Sequence, residues 1–201
     1  MANTFPAYGR RWRLYATQWD SAKITKSPIA KAAAAKAVAN KDRYTVLSNM
    51  FLGRHPGSNV PWWWIPPVHY REASFKFNTQ LAQGDPLHKV STHVPRGQGP
   101  YLGQNAWERA ALVALEEGLR NYHIDSLEMG IYCWEGYNGW GYYYHDVPSA
   151  YVWAGTDVYK GGFYKDCGDW SRNLYDPRVG CAAILECMMD LDSTIKPTRD
   201  S

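Results

Sequence analysis

Glu72 and Asp85, thirteen positions apart in a chain of 201 residues, are the residues whose types and surroundings best suit covalent chemistry. Glu72 closes the stretch "PWWWIPPVHYREASF", residues 61 to 75. On a helix through 65–75 it shares a face with Val68 and His69 one turn back and with Trp64 and Ile65 two turns back. Burial against so apolar a face disfavours the ionised carboxylate, and the negative end of the helix dipole acts in the same direction. Both effects would keep a proton on Glu72 at neutral pH, as a general acid requires. Asp85, in "QGDPL", supplies the second carboxylate that glycosidic cleavage normally needs, roughly 5 Å from the first for retention or about 6.5 to 9.5 Å for inversion. Each has a plainer alternative: Glu72 paired with Arg71 or Arg96 at a surface, and Asp85 in an ordinary Asp-Pro turn. Glu135, read as helical surface, and Asp157, in an aromatic loop, rank behind them.

Other chemistries fit less well. His69, His88, His93 and His145 invite a zinc site, but no H-E-x-x-H is present, and His88 and His93 stand five apart in a strand-like run that would point them to opposite faces. Cys133 and Cys187 fall at helix positions that read as core, which disfavours a cysteine nucleophile. The four cysteines, Cys133, Cys167, Cys181 and Cys187, form no C-x-x-C pair and are expected as reduced thiols. No glycine-rich phosphate loop occurs, and no metal or other cofactor is expected.

Periodicity and punctuation supply the elements that must position these residues. Trp12, Tyr15, Ala16 and Trp19 recur at helical spacing to near Lys23. Ser27 and Pro28 open a second helix through the alanines, long or broken near Asn40, that stops by Gly53. Pro61 starts the tryptophan-rich helix, and Pro66 and Pro67 imply a kink or a restart there, because an interior proline costs about 3 kcal/mol. Residues 76–101 suit a small β-hairpin or an irregular lobe. Asn105 with Glu108, and Asp125 with Glu128, are placed as capping boxes. Residues 137–170 form a long aromatic, glycine-rich segment of the kind that usually carries function. After Asp176 and Pro177 comes a last helix whose Ile184, Cys187, Met188 and Leu191 read as core, then a loose tail over 193–201.

Ten tryptophans and fifteen tyrosines exceed what one core of this size needs and suggest a binding cleft for sugars, bases or proteins. Residues 1–57 carry ten Lys or Arg against Asp20 and Asp42, a balance of +8, which leaves −5 for the rest of a chain of net +3. A basic lobe could meet an anionic polymer or be a solvated face. Neither a signal-peptide run nor a transmembrane-length stretch appears, so synthesis in a cytoplasm is expected.

Taken together, "PWWWIPPVHYREAS", "AQGDPLHKVSTHVPRGQGPY", "YNGWGY", "SAYVWAGTDVYKGGFY" and "YDPRVGCAAIL" resemble the lysozyme family proteins of phages and prophages, predicted peptidoglycan-cleaving endolysins of the lysozyme-like superfamily. The resemblance covers roughly residues 42–190. It implies a catalytic acid at Glu72, at the end of a His-x-Arg-Glu-Ser motif that here reads His-Tyr-Arg-Glu-Ala. It also implies a helix-end acid followed by a carboxylate in a β-lobe, here Asp85. "YNGWGY" is similar to the Tyr-Asn-Ala-Gly segment of lytic transglycosylases, which implies glycan contact at Tyr137 and Asn138.

The expected protein is mainly α (α+β): a single lysozyme-like domain over 1–201 with a small β-hairpin lobe beside the active-site cleft. It would comprise a basic helical N-terminal lobe (1–57), a catalytic core (58–192) and a tail (193–201). The expected activity is cleavage of the MurNAc-GlcNAc bond for host lysis, by hydrolysis or by transglycosylation, with Glu72 and Asp85 catalytic. Trp64, His69, Tyr137, Asn138, Tyr151 and Trp153 would bind substrate. The resemblance implies storage in the host cytoplasm and release to the cell wall, with peptidoglycan as partner. The anionic envelope is a further expected partner through the basic lobe; nucleic acid is not, and the chain is expected to be a monomer. The competing class is a non-catalytic glycan- or surface-binding virion module.

Overall fold

The computed structural model describes residues 6–82, 84–93, 96–165 and 168–200. The chain is mainly helical, with one small two-stranded antiparallel sheet among the described residues, an α+β arrangement. Two compact units organise it: Lys36–Ile124, and Met1–Ala35 together with Asp125–Ser201. Among the described residues no helix is long and apolar enough to cross a membrane.

The alanine-rich region is broken, and Asn40 breaks it. Helix α1 spans Trp12–Ser21, α2 Ser27–Ala39 and α3 Lys41–Arg54. Asn40 leaves helical geometry (φ −110°, ψ 19°) and donates its side-chain amide to the Lys36 carbonyl, satisfying an acceptor that the end of α2 would otherwise leave open. Its own carbonyl then accepts from Arg43 and Tyr44 and starts α3.

Within Lys36–Ile124, α3 packs on α5 (Ala106–Leu119) through Tyr44, Leu47 and Phe51, spaced to lie on one face and all buried. A short 3-10 turn, Trp62–Trp64, leads into α4, Ile65–Ala73. The tryptophan-rich stretch thus restarts at Ile65, which puts Pro66 and Pro67 in the first turn. There their missing N–H groups would have had no intrahelical partner.

Among the described residues of 76–101 the irregular alternative is found rather than the hairpin. They hold one isolated antiparallel bridge, Thr79 with Pro86, and scattered contacts such as Tyr101 N–H to the Leu87 carbonyl. Pro86 and Pro100 cannot donate to a ladder, which explains why no strand extends from the bridge. The sheet lies elsewhere: β1 (Phe163–Tyr164) pairs with β2 (Trp170–Ser171), Phe163 opposite Ser171.

In the other unit α1 packs on α6 (Leu127–Tyr137), and α8 (Ala150–Trp153) touches both α6 and α9 (Cys181–Leu191). The one-turn α7 covers Gly141–Tyr144. Gly180, at the start of α9, approaches the Val152 carbonyl so closely that a β-carbon would stand 2.3 Å from the oxygen. Ile184, Cys187 and Met188 are core, as their spacing predicts, whereas Leu191 is 56% exposed.

Neither expected capping box forms. Asn105 adopts left-handed geometry and does not cap α5, and Glu108 pairs instead with Arg43 at 2.6 Å. At α6 the cap is Ser126, accepting from Met129 N–H, while Glu128 binds Arg199 at 2.5 Å and Asp200 N–H at 3.0 Å. Those last contacts also correct the loose tail. Ile195 is buried, Thr198 bridges Ser126, and Leu127 N–H donates to the Thr198 carbonyl.

Candidate functional site

Helix α4 is buried nearly all round: Ile65, Pro66, Pro67, Val68, His69, Arg71 and Ala73. Glu72, in its last turn, is exposed. This corrects the expected desolvation. The apolar face was placed correctly, but the core ends one turn before the carboxylate, so Trp64, Ile65 and Val68 cover their own turns and leave Glu72 to solvent. Directly after α4, Ser74 (φ 50°) and Phe75 (φ 62°) both adopt left-handed backbone. Two consecutive non-glycine residues there, one of them bulky, cost on the order of 1 to 3 kcal/mol each and must be held by their surroundings. The turn is held by Ser74 N–H to the Tyr70 carbonyl at 3.0 Å and Phe75 N–H to the His69 carbonyl at 3.4 Å.

His69 anchors this helix end from inside. Its Nδ1 lies 2.9 Å from the Tyr44 hydroxyl and its Nε2 3.2 Å from the Lys76 carbonyl. Its ring packs against Trp107 and Phe77, with centroids 4.5 and 4.7 Å away. Burial pushes the imidazole pKa down to about 4, so it is neutral at pH 7 with Nε2 as donor to Lys76 and Nδ1 as acceptor from Tyr44. Trp64 and His69 were both expected to touch substrate; each has 0% exposed surface and serves the core instead.

Asp85 belongs to the same compact unit and is 7% exposed. Its Oδ2 accepts from the backbone of Thr92 and His93 at 2.9 and 3.0 Å, and its Oδ1 meets His93 Nδ1 at 2.8 Å. The His93 backbone N–H, followed by the His93 ring and the Thr92 N–H, outweighs burial and holds the carboxyl below its ordinary pKa. Asp85 is therefore an ionised carboxylate of fixed orientation.

The remaining expected site residues, Tyr137, Asn138, Tyr151 and Trp153, belong to the other unit. Asn138 is exposed and Tyr137 half-buried, at the end of α6. Tyr151 and Trp153 on α8 are 2% and 1% exposed, so little of either ring faces outward. Asp157 accepts from Lys23 N–H at 2.8 Å, a tie between loops.

Glu135 was expected at the surface of a helix and is buried. Its Oε2 accepts from the Tyr15 hydroxyl at 2.5 Å and from Arg11 at 3.1 Å. Burial, ahead of the neighbouring carboxylate, raises the Tyr15 pKa and keeps the phenol protonated as donor. Burial opposes the charge on Arg11, but the Glu135 carboxylate and Tyr15 beside it together outweigh burial and raise the Arg11 pKa. The sequence does carry a signal for this cluster: the lone carboxylate of "MGIYCWEGY", Met129 to Tyr137, has apolar surroundings and requires a buried partner.

Several N-terminal cations are also spoken for. Arg11 binds Glu135, Arg43 Glu108 and Arg54 Glu116, and Lys26 donates to the carbonyls of Asp176, Pro177 and Arg178. The formal +8 of residues 1–57 overstates the charge offered to a partner.

His145 stacks on Trp170 at 3.8 Å, and among the described residues no three His, Cys, Asp or Glu are grouped to hold a metal ion. Cys133, Cys181 and Cys187 are buried, and burial pushes the Cys133 and Cys187 thiols up; Cys167 lies outside the described residues. Comparison with family models, curated proteins and solved structures returned no match.

Proposed function

We propose that the chain is a peptidoglycan-cleaving enzyme of lysozyme-like type that breaks the MurNAc-GlcNAc bond, with Glu72 as the acid. The observation that carries this reading is local. Glu72 is an exposed carboxylate on a helix buried nearly all round, separated by Ala73 alone from two consecutive strained non-glycine residues, and strain of this kind collects at functional sites. An aromatic cage around His69 fixes the helix that carries it. Seating a glycan against Glu72 would strip water from the carboxyl and favour its protonated form, the role that core burial does not fill.

Asp85 is the proposed second carboxylate. Ionised and held by three hydrogen bonds, it suits a charge stabiliser or nucleophile better than a proton donor. Tyr137 and Asn138 are proposed glycan contacts on their sequence similarity and their accessibility. Storage in a host cytoplasm and release at lysis belong to the same reading.

Mass spectrometry of soluble products from purified peptidoglycan tests it. Muropeptides with a free reducing end identify hydrolysis through Asp85 or a water. Products lighter by one water identify closure of an anhydro ring by the muramic 6-hydroxyl, with Glu72 as acid and base. An intact polymer to which the protein stays bound points to a glycan-binding module.

A further inference from the structure

A cavity of about 160 Å³ opens beside the buried Glu135, lined by Arg11 and Gln18 of the N-terminal region and by Tyr143, Asp146, Ser149 and Trp153, among others. All these residues belong to one compact unit. Its volume is about half the ~300 Å³ at which drug-sized sites begin, room for one ring rather than an oligomer.

Three polar groups at the cavity have unused capacity. Tyr15 and Arg11 both bond Glu135 Oε2, so Oε1 of this side chain, 3% exposed, has no hydrogen-bond partner among the described residues. Arg11 spends Nε on Tyr15 and one terminal nitrogen on Glu135, and its other terminal nitrogen has no partner among the described residues. The Ser149 Oγ is buried without a partner among the described residues, which costs about 1 to 3 kcal/mol until one arrives. Beside them the Tyr143 ring, 36% exposed, offers a flat face and already carries the Arg11 guanidinium 4.8 Å from its centroid.

Charge selects the ligand class. Arg11 and Glu135 cancel, which leaves exposed Asp146 at the cavity, so a carboxylate or phosphate would meet a negative balance and a cation would meet Arg11. A neutral ring bearing hydroxyls satisfies both signs, because each hydroxyl donates to Glu135 or Asp146 and accepts from Arg11, Gln18 or Ser149. We propose that this cavity binds a single neutral sugar residue, its hydroxyls on Glu135, Arg11 and Ser149 and its C–H face on Tyr143. The site goes beyond the Glu72 reading: apart from Trp153 it uses none of the residues of that reading, and it stands if the glycan-cleaving activity does not.

Saturation-transfer NMR with N-acetylglucosamine and its β-1,4-linked disaccharide, in the intact chain and in Glu72→Gln, tests it. Both proteins should bind, and Tyr143→Ala and Ser149→Ala should each weaken binding about fivefold to tenfold, the equivalent of one lost contact. Gln18→Leu, which removes another polar group lining the cavity, should weaken binding in the same way and provides the readout should either of those variants fold poorly. Equal binding in all variants, no saturation transfer to either sugar, or stronger binding of acetate or phosphate than of sugar would overturn the proposal. Loss of peptidoglycan cleavage in Glu72→Gln with sugar binding intact separates the two sites. Retained cleavage in that variant would count against the Glu72 reading and leave the cavity untouched.

Discussion

The Tyr15 hydroxyl donates to the Glu135 carboxylate across 2.5 Å, joining α1 to α6 through two buried polar side chains. A carboxylate so placed is stable only while its partners stay, since removing one leaves an under-satisfied buried charge. Tyr15→Phe should therefore destabilise the protein by about 1.5 to 3 kcal/mol, the range for a bond to a charged group. Urea unfolding measures this; a change below about 0.5 kcal/mol, the level of a neutral surface substitution, would show that Arg11 alone suffices.

His69 predicts a pH dependence whose sign follows from its burial. Its folded pKa of about 4 lies below the ordinary 6.5, so below pH 6.5 the unfolded chain takes up a proton that the folded chain refuses. Stability contributed by the neutral ring is complete above pH 6.5 and falls away between pH 6.5 and about 4, by a total on the order of 3 kcal/mol. Denaturant midpoints between pH 7 and 4 should fall accordingly, and the His69 ring signals in NMR should stay those of the neutral form at pH 5.5. A ring that titrates near 6.5 would contradict the cage.

Asp85 works in the opposite sense to an acid that must keep its proton. Its lowered pKa means that its contribution is present above the ordinary carboxylate range and is lost as pH falls through the lowered value. Asp85→Asn keeps an acceptor oxygen but removes the charge that holds two backbone N–H groups and His93. Amide exchange at Thr92 and His93 should accelerate at least tenfold, and peptidoglycan cleavage should fall in parallel. Unchanged exchange with lost cleavage would make Asp85 purely chemical; unchanged values of both would remove it from the account.

Truncation after Lys196 removes Thr198, Arg199 and Asp200 and strands Glu128, whose side chain is 0% exposed. The cost should reach about 3 kcal/mol, the scale for an unpaired buried charge, and appear as a lower melting temperature. An unchanged melting temperature would restore the view of 193–201 as a loose tail.

How far the sequence could be read differs by the range of the forces involved. The helical repeat of α1 and the Cys187–Met188 core face are set by local spacing and were legible, and the break at Asn40 was one of the two outcomes that the alanine-rich stretch allowed. Asn105 and Asp125 had the right spacing for capping boxes but failed because Arg43 and Arg199, distant in sequence, took their glutamates. Glu72 shows the limit most clearly: periodicity names the face of a helix but not where along its axis the core ends. His69, one turn earlier on that face, is sealed among Tyr44, Phe77 and Trp107, none of which its own stretch predicts. Glu135 was missed for the complementary reason, since its burial had to be inferred from the uncharged run between Glu128 and Glu135 on α6, while its partners Arg11 and Tyr15 lie far away in sequence.

The proposed role of Glu72, moving the proton in glycan cleavage, is read from the release of soluble muropeptides from purified peptidoglycan by the intact chain and by Glu72→Gln. Being exposed, Glu72 can be replaced by its neutral isostere with little effect on the fold, so melting temperatures should match. The intact chain should release muropeptides, and the variant should lose at least about 10²-fold, the usual contribution of a positioned acid. Release at an undiminished rate by Glu72→Gln, or none by the intact chain, would contradict the proposed role.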